Sequence, residues 1–328
     1  MKKKLFSLLL TLSMTACLLA GCGTAQTDSE SQSDSKVYKI GVIQLTEHPA
    51  LDAAYEGFVQ ALAEAGYEDG KNISIDYQNA QGEQSSCITI ADKFVNDKVD
   101  LVLAIATPAA QAMASKTTTI PILVTAVTDP ESSGLVDSNE APGGNVSGTS
   151  DLTPVAEQIN LLKELVPSAQ KVGILYCSAE DNSKFQSNLA LEALKDLNME
   201  GEEYTFSTLD EISTLVGSMK GKVDAIYVPT DNTAANGMTT ISMVATEAGI
   251  PVIVGEEGMV DNGGLATYGI NYTKLGIMTG KQAAKILSGE VETATMPIEY
   301  VSAEDCEFTY NEETAKSLGI TIDPAKFE

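Results

Sequence analysis

The stretch Tyr38-Lys39-Ile40-Gly41-Val42-Ile43-Gln44-Leu45-Thr46-Glu47-His48-Pro49-Ala50-Leu51-Asp52 runs on through Ala53-Ala54-Tyr55-Glu56-Gly57-Phe58-Val59-Gln60-Ala61-Leu62. Ile40, Val42, Ile43 and Leu45 form a short apolar run, the pattern of a strand buried on both faces of a parallel sheet. A polar loop follows, and it holds the only histidine of the chain, His48. Leu51, Tyr55, Phe58, Val59 and Leu62 then recur at helical spacing and mark one buried face. In open α/β sheets ligands bind beyond the carboxyl ends of the strands. Glu47, His48 and Leu51 are therefore the first candidate ligand contacts.

N-terminal to this unit the composition changes twice. Met1-Lys2-Lys3-Lys4 is a basic start, Leu5 to Leu19 is apolar, and Leu19-Ala20-Gly21-Cys22 closes the segment as a lipobox. Residues 1–21 are expected to be a lipoprotein signal peptide, with Cys22 taking lipid on its thiol. Residues 22–36 are rich in Ser, Thr, Gln, Asp and Glu and read as a flexible tether. The chain is then expected on the cell membrane, lipid-anchored on the extracellular or periplasmic face. No later apolar run is long enough to span a bilayer.

The formal net charge is −26, and loss of the three leader lysines takes it to −29. Basic clusters that could neutralise phosphates are absent, so nucleic-acid partners are excluded. There is no Arg and no Trp. An anionic ligand group must therefore be held without a guanidinium fork. Of five cysteines, Cys17 lies in the leader and Cys22 is the expected lipid acceptor, which leaves Cys87, Cys177 and Cys306. Their spacing fits no zinc or CxxC pattern, and core packing is favoured over a Cys177–Cys306 bridge. Neither metal nor cofactor is expected.

Outward from the opening unit a strand–helix rhythm continues. Strands are expected at 73–78, 100–106 and 120–124, giving one doubly wound lobe. Gly66 and Gly70-Lys71-Asn72 faintly suggest a phosphate loop, but the spacing is short and Asn72 stands where Ser or Thr is required. A glycine-rich passage, 143–151, reads as a crossing, after which the rhythm restarts. Strands at 171–176, 202–206, 223–229, 251–255 and 265–269 alternate with helices. The fold class is α/β, two doubly wound Rossmann-like lobes joined by three crossover segments near 148, 271 and 297. The first lobe comprises 37–147 plus 272–297, the second 148–271 plus 298–328.

Thr107-Pro108-Ala109-Ala110 opens a helix straight after a central strand, with Thr107 as N-cap and Pro108 at the first helical position. Free N–H groups and the helix dipole there suit a carboxylate, against the plainer role of a capped helix. In the second lobe Thr230, Asp231 and Asn232 follow a strand, where Asp231 could meet an ammonium group or simply cap the next helix. Asp129 and Glu256 are comparable carboxylates at strand ends. Asp151 at the crossing and Asn182 at a helix start join them as candidates. Tyr176 and Tyr268 sit at strand ends and could stack on a ring or pack in the core.

Six segments in order carry a resemblance: Gln44 to Asp52, Ala106 to Gln111, Ala126-Val127-Thr128-Asp129-Pro130, Gly144-Asn145-Val146-Ser147-Gly148, Asp224 to Asn232, and Gly264 to Gly276. Together they resemble the substrate-binding lipoproteins of ABC importers, in the group with tryptophan- and tyrosine-binding members. The resemblance implies a type I periplasmic-binding fold that closes by hinge motion over a small ligand, an aromatic amino acid, and docks on a permease. A monomer is expected. Two alternatives stand beside it, an anchored enzyme and a ligand sensor for a membrane kinase. The enzyme lacks a nucleophile–base pair: His48 is alone, and no G-x-S-x-G is present.

Overall fold

The computed structural model describes residues 36–302 and 305–327. The expected leader, Cys22 and nearly all of the tether lie outside the described residues.

The chain begins with β1 (Tyr38–Gln44), α1 (Pro49–Glu64), β2 (Ile73–Asn79), α2 (Gln84–Asp97), β3 (Leu101–Ile105), α3 (Thr107–Ala114), β4 (Ile122–Val127) and β5 (Val146–Ser150). It continues with α4 (Val155–Leu165), β6 (Lys171–Cys177), α5 (Asp181–Asp196), β7 (Glu200–Phe206), α6 (Leu209–Ser218), β8 (Ala225–Val228), α7 (Asn232–Ala248), β9 (Val252–Val254), α8 (Glu257–Asp261) and β10 (Ala266–Gly269). Then come α9 (Tyr272–Leu287), β11 (Glu299–Tyr300), β12 (Glu307–Tyr310) and α10 (Glu312–Leu318).

These strands make two six-stranded sheets, in the orders β11-β5-β4-β3-β1-β2 and β12-β10-β9-β8-β6-β7. All pairings are parallel except β10 with β12. Parallel strands need helical crossovers that cover both sheet faces, which is why β3 reads as an unbroken apolar run, β4 is broken only by Thr125, and both are fully buried. Each sheet has its own core. Phe58, Leu62, Phe94 and Leu103 lie in the first, and Ile174, Tyr227, Phe206 and Ile253 in the second.

The two-lobed architecture is present, with the second crossing where expected, between β10 and α9, and the first and third a few residues later than expected. β5 pairs with β4 and stays in the first sheet, so the chain leaves the first lobe after Ser150, three residues past the expected boundary at 147. The two-residue β11 pairs with β5, which keeps residues up to 300 in the first lobe and puts the third crossing between β11 and β12. Short strands with few hydrogen bonds leave little periodicity to read, so these boundaries slipped. Cys87 and Cys177 are buried free thiols, and Cys306 is a partly buried one.

The first lobe is completed by α9, which returns from the second lobe and lies against α1. The two helices meet at backbone distance through Gly57, Gly276 and Gly280. A Cβ on Gly276 would sit 2.7 Å from the Ala54 carbonyl carbon and closer still to its oxygen, and one on Gly280 would sit 2.6 Å from the Phe58 oxygen. Only glycine allows this approach. The contact matters for the site, because α1 is headed by His48 and α9 begins with Tyr272.

Candidate functional site

The carboxyl ends of both sheets face each other, and the lobes touch across the gap. Asn236 Nδ2 donates to Thr46 Oγ1 at 3.0 Å, and Gln111 Nε2 to Asp181 Oδ2 at 3.0 Å. Gln186 Nε2 donates to Thr128 Oγ1 at 3.3 Å, and His48 Nε2 lies 3.4 Å from Asn232 Oδ1. Asn232 Nδ2 is held by Glu180 at 2.6 Å, which turns its oxygen toward His48. His48 Nε2 is thereby the donor of that pair.

Between these contacts lies a narrow cleft drawn almost shut, with free space of only about 10 Å³, about one water, so the lobes must part to admit an amino acid. The first lobe and its crossings supply His48, Leu51, Ala126, Thr128, Asp151 and Tyr272 to its wall. The second supplies Asn182, Thr230, Asp231, Asn232, Ala235, Glu256 and Met259. None of the lining side chains is a lysine, so the wall carries carboxylates with no protein cation among them.

Local structure explains how each side chain gets there. His48 is the N-cap of α1 with Pro49 in the first helical turn, as expected from its place ahead of the helix. Burial holds the imidazole below its ordinary range, so it is a neutral hydrogen-bonding group. The register of β4 against β5 shifts between Val124 and Val127, and Ala126 has φ of 53°. This bulge at the end of a central strand re-aims Ala126 and Thr128 toward the gap. Tyr272 opens α9 directly after the second crossing, and its hydroxyl donates to Asp151 Oδ2 at 2.9 Å.

The buried carboxylates differ in how they are used. Asp231 caps α7, with Oδ1 accepting from Ala234 N at 2.6 Å and Oδ2 from Cys177 N and Ser183 Oγ, each at 2.7 Å. Burial and the neighbouring Glu180 charge nevertheless raise its pKa. Of its two expected roles, the capping one is visibly filled. Glu256 caps α8 through Gly258 N at 2.6 Å, and burial pushes its carboxyl up to about 7. Glu180, whose importance the sequence did not reveal, accepts from Asn232 N, Asn232 Nδ2, Thr233 N and Thr233 Oγ1. Asp151 has one oxygen on Tyr272, and its Oδ1 is buried without a partner. Burial pushes this carboxyl up to about 6.

Eight of the sixteen expected ligand contacts meet at this cavity: His48, Leu51, Asp151, Asn182, Thr230, Asp231, Asn232 and Glu256. Others are elsewhere. Glu47 faces an outer groove with Asp52, Tyr55 and Tyr77. Asp129 is occupied by its own turn, accepting from Ser132 N and Asn139 Nδ2. Tyr176 donates to Glu203 at 2.9 Å, and Tyr268 lines a separate groove beside Cys306.

Thr107, Pro108, Ala109 and Ala110 are fully buried next to the cavity wall and do not line it. The N-cap there is Ala106, at φ 81°, and Thr107 is already the first helical residue, which corrects the expected capping. Its hydroxyl is buried without a partner. Ala126, Thr128, Ala235, Met259 and Tyr272 were missed as contacts. Thr128 and Tyr272 stand directly after a strand and a crossing and could have been found by that signal. Ala235 and Met259 carry none.

Among the described residues no group of three or more His, Cys, Asp or Glu side chains is placed to hold a metal. No described helix is long and apolar enough to cross a membrane.

Comparison with known proteins adds the following. The family described as ABC transporter substrate binding protein matches residues 39–325. The chain is 44% identical over 321 residues to the tyrosine-binding protein of Clostridioides difficile, covering 96% of this chain and 92% of that one. It is similar to the solved structure of an ABC domain in complex with L-Trp from Streptococcus pneumoniae, at 39% identity and TM-score 0.85, over 88% of this chain and 97% of that one. It is also similar to a ligand-free, open substrate-binding protein from Clostridium difficile, at 45% identity and TM-score 0.69, over 89% and 98%. The sequence is thus nearer to the open structure and the geometry nearer to the ligand-bound one.

Proposed function

The chain belongs to the ABC transporter substrate binding protein family, a family of binding proteins and not of enzymes, and on that premise we propose that it captures an aromatic amino acid in the cavity between its lobes. It then delivers that ligand to a permease. The observation that carries this reading is the closed cavity itself, walled by both lobes and bridged by four cross-lobe hydrogen bonds. A site built from two halves binds only when the halves meet, so ligand selects the closed form. The greater likeness to the L-Trp complex than to the open relative supports the same closed arrangement.

The wall suits a ring with a zwitterionic head. Leu51, Ala126, Ala235, Met259 and Tyr272 give it apolar faces, and a methionine sulfur packs well on an aromatic ring. The carboxylate end of the ligand can reach the start of α3 only by passing Ala126, since Thr107 to Ala110 are buried behind the wall. There the Thr107 hydroxyl has no acceptor, and first-turn N–H groups point out of the helix. In a chain without arginine such a site supplies the donors that a guanidinium otherwise would.

A thermal-shift panel tests the reading. Ligand at one hundred times its dissociation constant adds about 2.7 kcal/mol to stability. Phe, Tyr or Trp should raise the melting temperature, while sugars and nucleobases leave it unchanged. No shift with any of the three refutes the aromatic assignment. The anchor is inferred from Leu19 to Cys22 alone, and a Cys22→Ala chain should leave the membrane fraction if it is right. The protein is expected to act as a monomer, which sedimentation would check.

A further inference from the structure

Two acceptor atoms on the cavity wall have no donor. Asp151 is 4% exposed, and its Oδ1 is buried with no partner. Asn182 is likewise 4% exposed with Oδ1 buried and unpaired. The orientation of the Asn182 amide is fixed by its other end, since Nδ2 donates to Thr230 O at 3.1 Å and to Glu180 Oε2 at 3.3 Å. Both side chains line the same cavity. A buried acceptor left unpaired is costly, and a buried carboxylate more so. The remaining lining carboxylates, Asp231 and Glu256, are already engaged by helix-start N–H groups. The Thr128 hydroxyl beside Asp151 is the nearest protein donor and is neutral, so with no lysine in the wall the counter-charge must arrive with the ligand.

Accepting the function proposed above, we infer that Asp151, fixed at the hinge by Tyr272, anchors the primary ammonium group of the ligand, and that Asn182 across the gap takes a second of its N–H bonds. Asp151 directly follows β5 at the first crossing, and Tyr272 directly follows the second, so their 2.9 Å hydrogen bond ties the two segments together. Asn182 stands in the first turn of α5, in the second lobe. An ammonium group shared by Asp151 and Asn182 therefore joins the moving lobe to the hinge. Charge and N–H donors become the condition for closure, and the ring only adds affinity. The raised pKa of Asp151 agrees with a carboxylate that lacks its cation. A ligand without a protonated amine leaves both oxygens unpaired and is rejected. So is one whose nitrogen bears three methyl groups and no N–H.

The test is isothermal titration of the full chain with L-tyrosine and with 3-(4-hydroxyphenyl)propanoate, which differs only in lacking the amine. Wild-type protein should prefer the amino acid by on the order of 100-fold, the scale of a buried charge pair left half-made. Asp151→Asn keeps the shape and the Tyr272 contact. It should lose on the order of 100-fold for L-tyrosine and stay within about three-fold for the analogue. Tyr272→Phe, which only frees the second Asp151 oxygen, should lose less and again for the amino acid alone. Unchanged L-tyrosine binding by Asp151→Asn overturns the assignment. So does an equal loss for both ligands, which marks a merely structural role. If wild-type protein binds no aromatic amino acid, the proposed function falls, and Asp151→Asn is then titrated with whichever primary amine stabilises the wild type. If no amine stabilises it, the anchor falls as well.

Discussion

Replacing Gly276 by alanine is expected to cost about 2 kcal/mol of stability, and the reason lies wholly in the α1–α9 contact. The new Cβ would lie 2.7 Å from the carbonyl carbon and 2.9 Å from the Cα of Ala54. Carbon atoms pack best at about 3.5–4.0 Å, so the helices must part by about 1 Å. Both obstacles are backbone, and no rotamer change relieves them. Overpacking of this kind costs roughly 1–3 kcal/mol, and a rigid contact belongs at the upper end. Against it stands the better helix propensity of alanine, about 1 kcal/mol. Gly217 in α6 provides the control, because its Cβ would meet nothing nearer than Val244 Cγ1 at 3.9 Å. There only the propensity remains, and Gly217→Ala should gain about 0.5 kcal/mol. Urea unfolding followed by circular dichroism gives both differences from the shift in midpoint at constant slope. The same sign for the two variants would refute the reasoning. Because α1 carries His48 and α9 carries Tyr272, Gly276→Ala should also weaken ligand binding, which Gly217→Ala should not.

Asp231→Ala should destabilise by about 3 kcal/mol, since it removes the α7 cap and leaves Cys177 N and Ser183 Oγ without an acceptor in the interior; thermal melting reads this directly. His48→Ala removes one long cross-lobe hydrogen bond, so titration should show ligand affinity falling about three- to ten-fold with little change in melting temperature. Stability should also depend on pH through Asp151. Its folded pKa, about 6, lies above the value of 3.8 taken for a free side chain, so the folded state binds the extra proton between them. That stability is complete below pH 4 and is lost as pH rises through 6, an effect of about 3 kcal/mol. Urea midpoints measured with no amino acid present should therefore fall from pH 4.5 to pH 7.5, with Asp151→Asn falling less; an equal fall in the two proteins would exclude Asp151 as the source. Glu256 acts in the same direction, and His48, whose pKa is lowered, in the opposite one.

The alternation of apolar strands and amphipathic helices made the two lobes legible, because parallel strands buried on both faces leave unbroken runs such as Leu101–Ile105. The crossings were less so. β5 and β11 owe their place to pairing with distant segments, and nothing local in Glu299–Tyr300 says which sheet it joins. At the site, residues directly after strands or at helix starts could be found from sequence, as with Asn182 and Asn232. What could not be found was the partition of labour among carboxylates. Asp231 and Asp151 read alike as acids near a glycine- or threonine-rich turn, yet one is filled by three protein donors and the other keeps an oxygen free. Thr107 was misplaced by one position because Ala106 adopts a positive φ that alanine rarely takes, a strain imposed by tertiary packing.

The return of α9 to the first lobe sets an order on assembly. The helix face of α1 around Gly57, Phe58 and Ala61 is covered only when residues 272–287 arrive, after β6 to β10 of the second lobe have been made. At 5–20 residues per second the interval is roughly ten to forty-five seconds. The first lobe therefore stays incomplete through most of synthesis, and it is expected to stay sensitive to proteases until α9 arrives. Chains halted near residue 270 should be cut within α1 under limited proteolysis, where the full chain resists. For a protein that works outside the cytoplasmic membrane this delay is useful: a domain that cannot close before its distal helix is available remains threadable during export.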